Sequence, residues 1–394
     1  MLESIPPREE DKILRLMKLF ADDPRVGKID LGVGVYHDAD GRTPIFSAVK
    51  QAEQRLIETQ ESKGYVGLAG DPAFHRAMAG LVLGDLAETM PFAACGTPGG
   101  TGAVRQGFEL MKLAGNPQRR IWLPDPSWIN HGSILDTLGI PRADYRYYDA
   151  ETGGVDAEGM LADLAKAAPG DVVLLHGCCH NPTGADLKAQ DWAALTKLLA
   201  ERGLTPFVDL AYQGFGDGVE ADVSGLRTMV AALPETIITV SASKNFGLYR
   251  ERVGCVLAPC VDPKARDMTH AALAWLNRQN YAFPPDHGAR VVTTILTDTG
   301  LRADWQDELD GMRARMKENR TALAGELRRL TGSDRFGFLQ SHKGMFTVLG
   351  LRTEQVLTLR KEHGLYMVED SRINLAGLTD ATIPPAAEAI AAVL

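Results

Sequence analysis

Four short apolar runs set the fold class of this chain. Arg120–Leu123, Val172–His176, Pro206–Asp209 and Ile237–Val240 have the length and aliphatic content of buried strands. Between the last three lie helical stretches, Ala189–Arg202 and Val223–Leu233. A spacing of roughly 30 residues per unit fits βαβ repeats, whose crossover helices cover a mostly parallel sheet. The alternation extends from about residue 45 to 310, and Val253–Ala258 adds a strand expected to pair with Ile237–Val240.

The flanks read differently. Ile13, Leu14, Leu16, Met17, Leu19 and Phe20 give an early helix one apolar side, and Asp22-Asp23-Pro24 ends it. The extended segment Ile29–Tyr36 follows, with Gly32 and Gly34 inside it. His37 stands where a nucleotide fingerprint needs its third glycine, so the pair signals close approach of the backbone to a neighbour. A long charged helix runs from Asp304 toward Leu330, with Trp305, Leu309, Met312, Met316, Leu323 and Leu327 on one broad side. Phe336–Leu394 reads as strand, strand (Gly344–Leu351), helix (Thr353–Glu362), strand and helix. The expected organisation is an N-terminal arm over 1–12, a smaller α+β domain from 13–44 plus 312–394, and a large α/β domain over 45–311.

Composition excludes several classes of function. A net charge of −9 argues against a nucleic-acid or anionic-membrane partner. No apolar stretch approaches the roughly 20 residues needed to span a bilayer. Met1–Glu10 lacks the basic and apolar regions of a signal peptide. Cys95, Cys178, Cys179, Cys255 and Cys260 are odd in number and irregularly spaced, which suggests buried free thiols in a cytoplasmic protein and no disulfide framework. The vicinal pair Cys178-Cys179 has no CxxC partner, and no metal site is expected.

Ligands of open α/β sheets bind beyond the carboxyl ends of the strands, so the residues just past each run form a candidate site. Ile237–Val240 leads into Ser241-Ala242-Ser243-Lys244, with Arg252 eight residues further on. A lysine on a tight turn at the end of a core strand is partly desolvated, which lowers its pKa and makes it a good Schiff-base amine. Ser241, Ser243 and the planar fork of Arg252 can hold a phosphate. Pro206–Val208 ends at Asp209, a carboxylate that calls for a cationic partner such as a protonated pyridine nitrogen, or else caps a helix. Tyr212 follows three residues later, within reach of a ring hydroxyl. Val172–His176 leads to Asn181-Pro182-Thr183-Gly184, where Asn181 can donate to a phenolate or simply sit in a turn. Arg120–Leu123 leads to Trp128, a ring-stacking plate or a core residue. Gly99-Gly100-Thr101-Gly102 opens a helical run at Val104–Leu113, and such a start suits an anion. An amine, a phosphate grip and a buried carboxylate together point to pyridoxal 5′-phosphate.

Tyr65, Gly99-Gly100-Thr101, Ser127-Trp128, His180-Asn181-Pro182-Thr183-Gly184, Asp209-Leu210-Ala211-Tyr212 and Ser241-x-Ser243-Lys244 occur in the order seen in class I aspartate and aromatic aminotransferases. The chain resembles that family from Ile13 to Leu394. The resemblance implies the fold type I architecture of pyridoxal-phosphate-dependent transferases, in a homodimer with shared active sites. It implies Lys244 as cofactor-bonding lysine and proton shuttle, Asp209 on the pyridine nitrogen, Tyr212 and Asn181 on the ring hydroxyl, and Trp128 stacked on the ring. Gly100, Thr101, Ser241, Ser243 and Arg252 are implied to hold the phosphate, with Tyr65 contributed by the neighbouring subunit. His131 is implied to support Asp209. Arg372, with Gly34 nearby, is implied to grip the substrate α-carboxylate, and Arg278 a side-chain carboxylate across the interface. Trp128 and Asn181 also border the substrate.

The substrates so implied are amino acids and 2-oxo acids. Arg278 favours aspartate and glutamate, whereas His37, Gly64 and Ala282-Phe283 depart from the aspartate-specific pattern and make the mouth less polar. The expectation is activity on phenylalanine, tyrosine and tryptophan as well as on acidic substrates. A strict aspartate aminotransferase is the alternative. The smaller lobe is expected to close over the substrate, with Ile13, Leu14 and Leu16 as either an entrance plug or ordinary packing.

Overall fold

The computed structural model describes residues 1–7 and 11–394, so residues 8–10 of the expected arm lie outside the described residues. The chain divides into two compact units, one of 44–314 with 342–344 and one of 1–43, 315–341 and 345–394.

The larger unit is built on a seven-stranded sheet. Its strands are β1 (Phe92–Pro98), β2 (Ile121–Asp125), β3 (Arg142–Arg146), β4 (Val172–His176), β5 (Thr205–Leu210), β6 (Ile237–Ser241) and β7 (Val253–Pro259). Their order is β1-β7-β6-β5-β4-β2-β3. β2 to β6 pair in parallel, while β7 runs antiparallel to both β1 and β6. The sheet is therefore mostly parallel, as the alternation predicts, and Val253–Pro259 does pair with the lysine-bearing strand. β4, β6 and β7 are buried almost throughout, which is why they read as unbroken apolar runs.

Helices Gly99–Leu113 and Pro263–Asn280 cover one core, with Val104, Phe108 and Leu273 packed against Phe207, Ile237 and Val256. Phe108 and Phe207 meet at 4.8 Å between ring centres. The helix after β1 starts at Gly99, five residues before the run that marks it in the sequence, because its first turn is made of glycines that carry no apolar signal. Asp209 lies inside β5 and caps no helix.

The smaller unit has its own core, including Leu31, Leu323, Leu327, Val356, Leu365, Ile373 and Ile390. Ile29–Asp30 pairs in parallel with Leu365–Tyr366, and Phe346–Val348 pairs antiparallel with Arg372–Asn374. The segment after Phe336, expected as a strand, is a short 3-10 helix, Gly337–Gln340. Three-residue hydrogen bonds from Gly337 to Asp334 and from Leu339 to Phe336 close its turns. The early helix, Lys12–Asp22, is capped by Asp11 and buries only Leu16 fully, leaving Leu14 and Met17 exposed. The long helix spans Thr299–Thr331. Its Trp305 and Leu309 are buried in residues of the larger unit, and Leu323 and Leu327 in those of the smaller.

The sequence gives no sign that His342–Gly344 belongs to the larger unit. Among the contacts that hold it there, Lys343 N–H donates to Gly184 O at 2.8 Å, the His342 ring meets Gly153 O at 2.6 Å, and the Lys343 ammonium pairs with Asp217.

Candidate active site

The carboxyl ends of β4, β5 and β6 bring one carboxylate and its partners together. Parallel register sets His176 and Thr239 beside Asp209, one on each neighbouring strand. Thr239 Oγ1 donates to Asp209 Oδ1 at 2.9 Å, and His131 Nε2 meets Oδ2 at 3.1 Å. Ser127 Oγ lies 2.9 Å from His131 Nδ1 and 3.3 Å from His176 Nε2, linking the two rings. Burial pushes the Asp209 carboxyl up, but the hydrogen bond and Coulombic pull of His131, with Thr239, outweigh it, and the net shift is downward. Burial holds His176 neutral, its pKa pushed down to about 3. The ensemble keeps a negative charge at the bottom of the site.

Lys244 follows β6 on a turn fixed by its neighbours. Asn245 O accepts from Trp305 Nε1 at 2.6 Å, and Asn245 Nδ2 donates to Gln213 O at 3.1 Å. The Lys244 ammonium stands 5.0 Å from the centre of the Tyr212 ring. Burial lowers its pKa to about 8; the Asp209 charge opposes the shift and Arg252 adds to it. Tyr212 and Asn181 are both buried. Trp128 caps the helix Ile129–Leu138 and meets His131 edge to face at 5.1 Å.

A group of anion-binding donors lies beside the lysine turn. A Cβ on Gly99 would sit 2.4 Å from Arg252 Nη2, and one on Gly100 would sit 2.8 Å from Ser241 Cβ. The glycines therefore let the helix start press against Arg252 and the end of β6. Arg252 Nη1 reaches Ser243 Oγ at 3.4 Å and Tyr249 O at 3.1 Å. Arg252 itself has a φ of 54°, a conformation that costs a non-glycine residue about 1–3 kcal/mol. Open helix N–H groups, two hydroxyls and a guanidinium form an anion cradle next to a nucleophilic amine and a buried carboxylate. That donor set fits pyridoxal phosphate. Thr101 is in the first turn of the same helix, with its side chain exposed.

In the smaller unit, Arg372 is buried, donates from Nη2 to Gly32 O at 3.2 Å and lies 4.5 Å over the Phe346 ring. Asn374 Nδ2 donates to Val33 O and Val35 O, stitching the Gly32–Val35 segment to the arginine strand. A Cβ on Gly34 would lie 3.5 Å from Phe346 Cζ, while one on Gly32 would collide with Leu16 at 2.2 Å. The close approach expected of the two glycines is thus present at Gly32.

The remaining candidates lie on the surface of the larger unit. Arg278 is exposed in the last turn of Pro263–Asn280. Tyr65 is 87% exposed and stacks on Phe283, ring centres 4.6 Å apart and 14° from parallel.

Thr239 and His176 are the partners that sequence reasoning misses. Neither stands in a motif, and both become legible only once register sets them opposite Asp209.

Residues 26–390 match the family described as "Aminotransferase class I and II". The chain is 56% identical over 390 residues to the aromatic-amino-acid aminotransferase of Paracoccus denitrificans, covering 99% of each chain. It is 43% identical over 398 residues to the aspartate aminotransferase of Escherichia coli (strain K12), covering 100% of each. Its fold is similar to that of the aromatic-amino-acid aminotransferase from Burkholderia pseudomallei covalently bound to pyridoxal phosphate, with a TM-score of 0.97 at 38% identity over 100% of this chain and 99% of that one. The chain belongs to the class I and II aminotransferases.

Proposed function

We propose that this protein is a pyridoxal-phosphate-dependent aminotransferase that moves the amino group of aromatic and acidic amino acids to 2-oxo acids such as 2-oxoglutarate. The observation that carries the reading is the joint presence of a half-buried, low-pKa Lys244, a doubly hydrogen-bonded Asp209 and the Gly99–Arg252 cradle in one unit. Full-length similarity to an aromatic-amino-acid aminotransferase and, at lower identity, to an aspartate aminotransferase supports the breadth of substrate.

Pyridoxal phosphate supplies an aldehyde for the substrate amine and a protonated ring that accepts the electron pair left when the α-proton departs. The chain's own groups do the rest. Gly100, Thr101, Ser241, Ser243 and Arg252 would anchor the phosphate. Asp209, held ionised by His131 and Thr239, would hold the proton on the ring nitrogen. Tyr212 and Asn181 would bind the ring hydroxyl, and Trp128 would lie against the ring. With the cofactor bound, Lys244 would serve as the base that takes the α-proton and gives it back; an amine with a pKa of about 8 is a usable base near neutral pH. Arg372 binds the α-carboxylate as a bidentate fork. Arg278 binds the side-chain carboxylate of aspartate or glutamate. Two half-reactions through one site give ping-pong kinetics.

We read the active form as a homodimer. The outward-facing Tyr65–Phe283 pair and the exposed Arg278 serve the neighbouring subunit's site in this reading. Five free, buried cysteines support a cytoplasmic location. Among the described residues no helix is long and apolar enough to cross a membrane.

The deciding experiment is a single-turnover absorbance assay on cofactor-loaded protein, with phenylalanine or aspartate added alone. Conversion to the amine form of the cofactor by both is expected. Conversion by aspartate alone leaves a strict aspartate aminotransferase, and conversion by neither overturns the reading.

A further inference from the structure

We propose that Cys178, Cys179 and Asp222 form a binding site for one thiophilic divalent metal ion, of the zinc and cadmium kind, outside the cofactor cradle. The two sulfurs and one carboxylate oxygen all lie within 4.8 Å of one another, and all three residues are buried. Around a tetrahedral ion with Zn–S bonds of about 2.3 Å, two sulfurs stand roughly 3.8 Å apart. A separation of that size falls inside the 4.8 Å within which the three ligand atoms lie.

Adjacent cysteines in an extended chain point to opposite faces. Here Cys179 has a φ of 52°, in the left-handed region. The two thiols accordingly come within 4.8 Å of one another. The Asp186 carboxylate holds this bend by accepting from Cys179 N at 2.7 Å and from His180 N at 2.8 Å. Gly344 leaves the space that the Cys179 side chain fills: a Cβ there would sit 2.4 Å from Cys179 Cβ.

Asp222 is oriented as a metal-ligating carboxylate should be. Its Oδ2 accepts from Gly214 N and Gly216 N, at 2.8 and 3.0 Å, and its Oδ1 from Asp217 N at 2.6 Å. A carboxylate offers about four lone-pair sites, so one remains on Oδ1 for an ion while the backbone bonds fix its direction. Cys178 and Asp222 also line a cavity of about 380 Å³ together with Lys188 and Lys343. The cavity gives an ion a route in and water for the fourth position. Two thiolates and a carboxylate around a divalent ion carry one net negative charge, in a cavity lined by Lys188 and Lys343 beside Asp186 and Asp217. Binding exchanges two thiol protons for the ion, forming two metal–sulfur bonds and releasing both protons to solvent with no change of oxidation state.

The test is titration of the holoenzyme with Cd²⁺, read by the thiolate-to-cadmium charge-transfer absorption. One equivalent per chain is expected. Cys178→Ala and Cys179→Ala should each abolish the band, and Asp222→Asn should weaken affinity at least about tenfold. No band at saturating Cd²⁺, a band that survives both cysteine substitutions, or unchanged affinity in Asp222→Asn overturns the proposal. If a variant fails to fold, anomalous diffraction from Cd²⁺-soaked wild-type crystals decides. A peak bridging the three side chains supports the site, and its absence there overturns it.

Discussion

Lys244 and Asp209 obtain opposite charge behaviour from the same low-dielectric pocket. Burial lowers the amine to about 8, while directed hydrogen bonds keep the carboxyl below its ordinary range. A lysine with a depressed folded-state pKa binds fewer protons folded than unfolded between about 8 and the ordinary 10.5. Its destabilisation is complete below the lower value and is relieved as pH rises to the upper one. Lys244→Met should abolish transamination and yet make the cofactor-free protein more stable at pH 7 by roughly 3 kcal/mol, a gap that closes toward pH 10; urea denaturation of both apo forms across pH checks this. Asp209 has the opposite sign: stability from its depressed pKa is present above the unfolded value and lost as pH falls through the folded one. Thr239→Val removes one donor to this carboxylate. It should lower kcat/KM about tenfold and move the acidic limb of the pH–rate profile upward, since a hydrogen bond to a charged group contributes about 1.5–3 kcal/mol. Residues with chemistry at strand ends, such as Lys244 and Asp209, are legible in the sequence because buried strands do not end in charge without cause. Arg372 and Arg278 are not: only resemblance selects them from the other arginines, because nothing local distinguishes a carboxylate-binding arginine from a solvated one.

At the scale of elements, the decisive junction is the helix start at Gly99 against the end of β6 and Arg252. No Cβ fits at Gly99, Gly100 or Gly254, where the nearest atoms would stand at 2.4, 2.8 and 2.3 Å. Gly100→Ala should push the helix away from Ser241, raise the dissociation constant of the cofactor roughly 10–100-fold and destabilise the protein by about 1–3 kcal/mol. Cofactor absorbance titration and thermal melting read the two effects separately. The sequence marks the central strands well, because burial on both faces writes them as continuous apolar runs. It marks the smaller unit less well. There the strands are two or three residues long, too short to show a period, and the turn at Gly337–Gln340 carries the apolar residues of a strand. Pairing register is silent in the sequence, so Thr239 and His176 emerge only with the sheet assembled.

At the scale of the whole molecule, the proposed sharing of active sites between two subunits has a consequence for mixed dimers. If Arg278 and Lys244 of one site come from different chains, co-refolding equal amounts of Lys244→Ala and Arg278→Leu chains regenerates one intact site in each mixed dimer. Aspartate activity should return to about a quarter of the wild-type level, although Lys244→Ala alone has none. No recovery would place both residues of a site in one chain. The two units also differ in how their chain is distributed. The larger is nearly continuous, from 44 to 314, whereas the smaller joins 1–43 to segments that begin at 315. Ile29 and Asp30 wait for Leu365 and Tyr366 as strand partners, and Leu31 packs in a core with Ile373 and Ile390. During synthesis on the ribosome the larger unit has nearly all of its own residues long before the smaller has its second half. Ile29–Leu31 therefore stay without these strand and core partners until the segments after 315 are made. That interval is when a chaperone that shields nascent apolar chain has its substrate.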